Sequence, residues 1–420
     1  MHKEITKCRI SDSENLINVL SLGDQYLTGV FPKSKDEKVT IGPVDLVWCP
    51  NSGLLQMKQS YSLDEMYGDN YGYRSGLNAS MVKHLQNKIK TLENLAKPTN
   101  QDLIIDIGSN DATSLKAYSG KFRKVGIDPT GKKFKEYYTD DLTLIPDFFT
   151  AEKFKNIFPN EKAKIITSIA MFYDLEDPKS FLNDVYEILD DNGLFVIQMS
   201  YTPLMINQLA FDNICHEHLM YYNLHSIKYL VESCEFKIVD CELNDVNGGS
   251  FRVYLQKNIS NKNSFATAPY RDVANFRVDS ILNYEKTLNM NDPSYYINFY
   301  EKIKSLKYKT YNFVKSEKEK GKSTWVYGAS TKGNTLLQYF GLDNTLIDGA
   351  AERSPYKFGL KTVGTNIPIF SEEDMRKAKP DYLLVLPWHF IDEFVEREFD
   401  FLKSGGKFIV PCPNFEIISI

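Results

Sequence analysis

The period of the apolar positions changes along the chain. Short strand-like runs separated by Gly and Pro come first, among them Gln25–Phe31 and Val44–Trp48. They predict a small β-rich module over residues 1–70. Residues 71–257 then alternate between helical and extended patterns. Met81, Val82, Leu85, Ile89, Leu92 and Leu95 fall at helical spacing within Ser80–Ala96, and Lys97-Pro98 stops that helix. Strands are predicted at Leu103–Asp106, Lys124–Asp128, Ile165–Ile169 and Leu194–Met199, the last preceded by an Asn192-Gly193 turn. Lys237–Glu242 and Ser250–Gln256, joined through Asn247-Gly-Gly249, read as an antiparallel edge hairpin. Residues 258–320 are charged, Tyr-rich and helical in pattern. Residues 321–420 start a second α/β unit at Ser323–Tyr327 and extend it with Asp381–Leu386 and Lys407–Pro411. Repeated β-α units predict an α/β fold of two parallel sheets with ligands at the carboxyl ends of their strands.

Composition narrows the function classes. The net charge is −5, which favours neither nucleic acid nor an anionic membrane surface as a partner. No apolar run approaches the ~20 residues of a membrane span, and Met1–Lys7 is polar, so a cytoplasmic location is expected. The 6 cysteines are too scattered for a disulfide framework.

Leu103-Ile-Ile-Asp-Ile-Gly-Ser-Asn-Asp111 is an apolar strand running into a Gly turn, and Gly126-Ile-Asp128 ends a second strand about 20 residues later. A lone Gly108 and no Lys-Ser/Thr argue against a dinucleotide or phosphate loop. Adenosine without a pyrophosphate fits better, so S-adenosylmethionine is the expected cofactor, held by Asp106, Gly108, Asn110 and Asp128. Asp147 and Phe148 fall where such sheets enclose an adenine. In His216-Glu-His218 the carboxylate beside His218 suits a general base. The i,i+2 spacing does not suit a zinc hydrolase. Cys8-x-x-Ser11 and Cys49-x-x-Ser52 have the frame of a four-cysteine zinc site with two hydroxyls in place of thiolates. Cys8 and Cys49 are the only thiol metal candidates there, and two thiolates do not favour tight zinc. Gly328-Ala-Ser-Thr-Lys-Gly-Asn-Thr335, Glu352-Arg-Ser-Pro-Tyr-Lys357 and His389 suggest a second ligand site, with Lys332 and Asn334 at a helix start suited to a diphosphate.

Taken in order, these motifs resemble the bacterial sugar C-methyltransferases. Cys8 with Leu22-Gly23, Tyr71-Gly-Tyr-Arg-Ser75, Asp106–Asp111, His216-Glu-His218, Tyr327–Thr335 and Gly364-Thr-x-Ile-Pro368 carry the resemblance over nearly the whole length. It implies a cysteine-rich N-terminal zinc module, a central S-adenosylmethionine domain and a Rossmann-like C-terminal domain. It further implies methylation of a nucleotide-linked (GDP or dTDP) 4-keto sugar, usually at C3. His218 would be the base, with Glu217 and Tyr71 beside it, and Tyr173 would lie near the donor. Tyr73, Arg74, His216, Tyr222, Lys332, Asn334, Arg353 and His389 would face the sugar nucleotide. Ser11 and Ser52 depart from the zinc cysteines, and Cys215 stands where a tyrosine often precedes His-Glu-His. The alternatives are sugar O-methylation and a non-catalytic sugar-nucleotide binder.

Overall fold

The computed structural model describes residues 2–62, 74–259 and 268–420. Tyr71 and Tyr73 lie outside these residues. Among the described residues no helix is long and apolar enough to cross a membrane.

The central sheet has seven strands, in the order Phe236–Asn244, Ser250–Lys257, Leu189–Ser200, Ala163–Ile169, Leu103–Ile107, Arg123–Ile127, Leu142–Ile145. Its core strands pair in parallel, and Ser250–Lys257 joins antiparallel against both Leu189–Ser200 and Phe236–Asn244. All five residues of Leu103–Ile107 are buried, as a strand covered on both faces requires. The helix Ala79–Ala96 packs on this sheet. The Asn78 side chain caps its start by accepting from Ser80 N and Met81 N, and Lys97 ends it in a left-handed conformation. The expected Asn192-Gly193 turn falls inside the strand Leu189–Ser200, where the register to Ala163–Ile169 shifts between Leu189 and Leu194.

The N-terminal sheet corrects one expectation. The strand runs over Ile17–Tyr26 and not Gln25–Phe31, because Leu27 to Phe31 leave the sheet to reach the other domains. Its order is Met220–Tyr221, Leu55–Met57, Ile41–Trp48, Ile17–Tyr26. The first of these strands comes from the segment just after His216-Glu-His218. It pairs antiparallel with Leu55 and Gln56, and Met57 N donates to Leu219 O at 2.8 Å.

Two helices, Ala268–Thr287 and Pro293–Glu319, make the connector. Glu285 on the first is buried, and its carboxylate accepts from Tyr201 Oη (2.8 Å), Leu224 N (2.6 Å) and His225 N (2.9 Å). One buried acid thus closes the start of the helix Leu224–Ser233 and ties it to the loop after the strand Leu189–Ser200. Trp48 packs against Tyr296 of the second helix at 5.8 Å between ring centroids.

The C-terminal sheet has six strands, ordered Ile369–Ser371, Gly349–Glu352, Thr324–Tyr327, Tyr382–Val385, Lys407–Val410, Glu416–Ile418. The first five pair in parallel and the last is antiparallel. The three sheets are cross-linked near the strand ends. Tyr26 N donates to Gln338 Oε1 at 2.7 Å, Asn334 Nδ2 donates to Thr28 O at 2.8 Å, and Phe211 packs edge-on to Tyr339 and Phe340.

Candidate active site

At the first strand-to-helix turn, Gly108 has φ 77°, and a Cβ there would come within 3.3 Å of the Met171 side chain. Only glycine keeps this turn relaxed and low. The Asp128 carboxylate, at the end of the neighbouring strand, accepts from Asn110 N (2.7 Å), Thr130 N (2.7 Å) and Thr130 Oγ1 (2.6 Å). The Asn110 side chain in turn accepts from Ser75 N at 3.0 Å.

Asp106 is buried beneath this turn, takes a hydrogen bond from the Thr167 hydroxyl and lies beside the buried Lys88. Burial raises the Asp106 carboxyl despite Lys88, and burial lowers the Lys88 ammonium despite Asp106. This places Asp106 as a support of the turn. Asp147 is exposed and ion-paired with Lys153 at 2.8 Å, which holds its carboxyl below the usual range. Phe148 beside it is 41% exposed. These residues fit an adenosyl group: the Gly108 turn leaves room, Asp128 stands where ribose hydroxyls would lie, and Phe148 offers a ring face. Arg74 belongs to this side as well. Its guanidinium lies over the Tyr137 ring at 4.6 Å and its Nε is 3.6 Å from Asp111 Oδ2.

His218 sits between the turn Phe211–Asn213 and the short strand Met220–Tyr221. Its Nδ1 donates to the Asn213 carbonyl at 2.6 Å. A carbonyl only accepts, so the neutral ring carries its proton on Nδ1 and keeps the Nε2 lone pair free. The ring meets Tyr173 edge-on at 4.5 Å, and both line a small cavity with Ser200, Thr202, Met205, Asn213, Met220 and Tyr221. The hydroxyl of Tyr221 is buried in this wall; its oxygen takes the Cys215 backbone N–H, and its own proton has no acceptor among the described residues. Burial pushes that phenol well above its usual range, so it stays a donor. Glu217 lies next to Gly29 of the N-terminal module, where an added Cβ would be 3.2 Å from Glu217 Oε1. Burial raises its carboxyl, and His218 opposes that shift. The loop is therefore fixed from three sides: by the N-terminal sheet, by the central sheet, and by Tyr339 and Phe340 against Phe211.

Across the cleft, Lys332 and His389 approach a residue the motifs did not single out, Asp212. It is 2% exposed, its Oδ1 has no partner, and its Oδ2 lies 3.8 Å from His389 Nε2. Burial raises the Asp212 carboxyl against the pull of Lys332. Burial also lowers His389 to about 4, so this is a contact with a neutral imidazole near neutral pH. Arg353 is exposed on the same domain.

Other residues expected on the sugar side are placed elsewhere. His216 is buried edge-on to Tyr61 at 4.5 Å, and burial lowers it to about 4. Tyr222 is fully buried and donates to Met220 Sδ at 2.9 Å. The Asn334 amide nitrogen donates to Thr28 O, and its buried oxygen has no hydrogen-bond partner among the described residues. These three hold the domains together around the loop.

The N-terminal knuckle brings Cys8, Ser11, Cys49 and Ser52 together. Cys8 Sγ lies 3.3 Å from Ser52 Oγ, and Ser11 Oγ lies 3.4 Å from Cys49 Sγ. Burial would raise the Cys49 thiol, but hydrogen bonds from Ser11 and Ser52 outweigh it and hold the thiol below its usual range. Two hydroxyls that stay protonated near neutral pH do not complete a zinc tetrahedron, so this donor set does not fit structural zinc. Arg9 contributes to the module's stability instead: its guanidinium is buried and donates to Met57 O (2.6 Å) and Ser60 Oγ (2.8 Å).

Three family models tile the chain: a proposed zinc-binding domain over residues 8–67, a methyltransferase domain over 81–240 and a C-methyltransferase C-terminal domain over 245–413. The C-methyltransferase NovU of Streptomyces niveus is 28% identical over 99% of this chain and 98% of its own length. Among solved structures, an S-adenosylmethionine-dependent methyltransferase from Clostridium acetobutylicum is 14% identical, covering 42% of this chain and 92% of its own at a TM-score of 0.33. The plantazolicin methyltransferase BpumL, solved with SAH, is 14% identical over 47% of this chain and 92% of its own at 0.36. The full-length relative and the ordered family domains together support an S-adenosylmethionine-dependent C-methyltransferase.

Proposed function

We propose that this C-methyltransferase acts on a nucleotide-linked 4-keto sugar and methylates the carbon beside the ketone, C3. The observation that carries the reading is His218: its Nδ1 proton is committed to the Asn213 carbonyl, and its ring lines the cavity that holds the Tyr221 hydroxyl, whose proton has no acceptor among the described residues. Carbon becomes nucleophilic only after losing a proton, and an adjacent ketone makes that loss feasible by moving charge onto oxygen. In this reading Nε2 of His218 removes the C3 proton, and Tyr221 donates to the enolate oxygen as it forms. Glu217 stabilises the imidazolium that results. Bound S-adenosylmethionine supplies the electrophilic methyl that the substrate carbon takes up, with S-adenosylhomocysteine leaving. Asp128 and the Gly108 turn hold the donor, while Lys332 at the start of the helix Thr331–Phe340 offers a cation to the diphosphate. The three-way clamp on the loop fixes the base between the two sites.

Proton abstraction can be read without methyl transfer. Incubated with a nucleotide 4-keto sugar in deuterated water and no donor, the protein is expected to exchange the C3 proton. Tyr221→Phe should slow that exchange about 100-fold, the scale of one oxyanion donor, with donor affinity unchanged. Exchange that proceeds at the wild-type rate in Tyr221→Phe would remove the phenol from the mechanism.

A further inference from the structure

We infer that Cys215, Glu217 and His218 form a binding site for a thiophilic divalent cation such as Zn²⁺, and that the bound ion switches the enzyme off by occupying its base. One thiol, one carboxylate and one imidazole offer ligand atoms that all lie within 4.8 Å of one another. In tetrahedral zinc coordination neighbouring ligand atoms are about 3.3–3.7 Å apart, so a contraction of about 1 Å closes the set. Three protein ligands leave the fourth position for water.

Two features prepare the site beyond this proximity. The carbonyl of Asn213 on His218 Nδ1 is the outer partner that orients a metal-bound imidazole and raises its basicity. The Cys215 sulfur receives the backbone N–H groups of Glu217 and His218, which favour a thiolate. Burial, with the Glu217 carboxylate beside it, keeps that thiol protonated, raising it to about 12, and a coordinated cation reverses the preference. The charges also balance. Thiolate, Glu217 and the nearby buried Asp212 together offset a divalent ion and Lys332, which faces Cys215 across the cleft. Hence the buried pocket carries no net charge once the ion is bound.

Cys215 supplies the thiol, while the knuckle that would compete for zinc has Ser11 and Ser52 in place of two thiolates. On binding, the Cys215 thiol proton passes to solvent, and Nε2 of His218 can no longer accept the substrate proton.

The inhibitory consequence rests on His218 as the base; the ion site does not, so the two are tested separately. Co²⁺ added to the full-length protein should give a near-ultraviolet thiolate-to-cobalt charge-transfer band that Zn²⁺ abolishes. The band should persist in Cys49→Ser, which disrupts the knuckle, and vanish in Cys215→Ser. Donor-free C3 exchange should fall about tenfold or more with one equivalent of Zn²⁺, recover with chelator, and be insensitive to Zn²⁺ in Cys215→Ser. No charge-transfer band in the wild type, or a band lost in Cys49→Ser and kept in Cys215→Ser, would overturn the site. A band in the wild type with exchange unaffected by Zn²⁺ would overturn the switch while leaving the site. The cobalt spectrum is readable even if no keto sugar is a substrate, which separates failure of the site from failure of the proposed function.

Discussion

His218→Ala should lower turnover by about 100- to 10,000-fold, the range a positioned general base contributes. The ring is half-buried and its one hydrogen bond, to the Asn213 carbonyl, is at the cavity wall. The loop itself is held by the pairing of Met220 and Tyr221 with Leu55 and Gln56 and by Phe211 against Tyr339 and Phe340. The variant should therefore fold, bind S-adenosylmethionine as the wild type does, and lose both C3 exchange and methyl transfer. Single-turnover kinetics with a thermal melt check this. Turnover within a few-fold of wild type in a folded variant would assign the base elsewhere.

Asp128→Ala should do the reverse, with donor affinity falling steeply and chemistry at saturating donor changing less. The carboxylate holds Asn110 N, Thr130 N and the Thr130 hydroxyl. Its removal leaves buried donors unsatisfied at about 1–3 kcal/mol each, and takes away the acceptor for ribose hydroxyls. A 100-fold rise in the dissociation constant of S-adenosylhomocysteine corresponds to about 2.8 kcal/mol, the scale of one lost hydrogen bond between ribose and a charged carboxylate. Titration calorimetry measures it. An unchanged constant would place the nucleoside away from this strand end.

These two residues were legible in the sequence for different reasons. Asp128 follows from a strand, a Gly turn and a second strand at a fixed separation, so local pattern was enough. The buried runs Leu103–Ile107 and Ala163–Ile169 are legible the same way, since strands covered on both faces are continuously apolar. His218 needed the company of Glu217 and the ordered motifs around it. The similarity to a full-length C-methyltransferase favours carbon methylation over O-transfer or binding alone.

What escaped the sequence is tertiary. The strand Met220–Tyr221 has two residues and exists only because Leu55–Met57 lies beside it. Tyr221 is one of 26 tyrosines, and only the place of its hydroxyl in the cavity wall, with a proton that finds no acceptor among the described residues, distinguishes it. Asp212 likewise gains interest from burial without a full set of partners. His216, Tyr222 and Asn334 stood out by polar type, and the structure places them in buried contacts with Tyr61, Met220 and Thr28. Arg74 shares a motif with the tyrosines yet stacks on Tyr137 beside the donor turn. Serine at positions 11 and 52 was informative in sequence because hydroxyl and thiol differ in acidity wherever they sit.

The most direct test is mass spectrometry of the purified protein with S-adenosylmethionine and a panel of GDP- and dTDP-linked 4-keto sugars, each paired with its 4-hydroxy counterpart. The account predicts a gain of one methyl group on a keto sugar, located on C3 by fragmentation, and none on the reduced partners. Methylation of the reduced sugars, or a methyl found on oxygen, would contradict it.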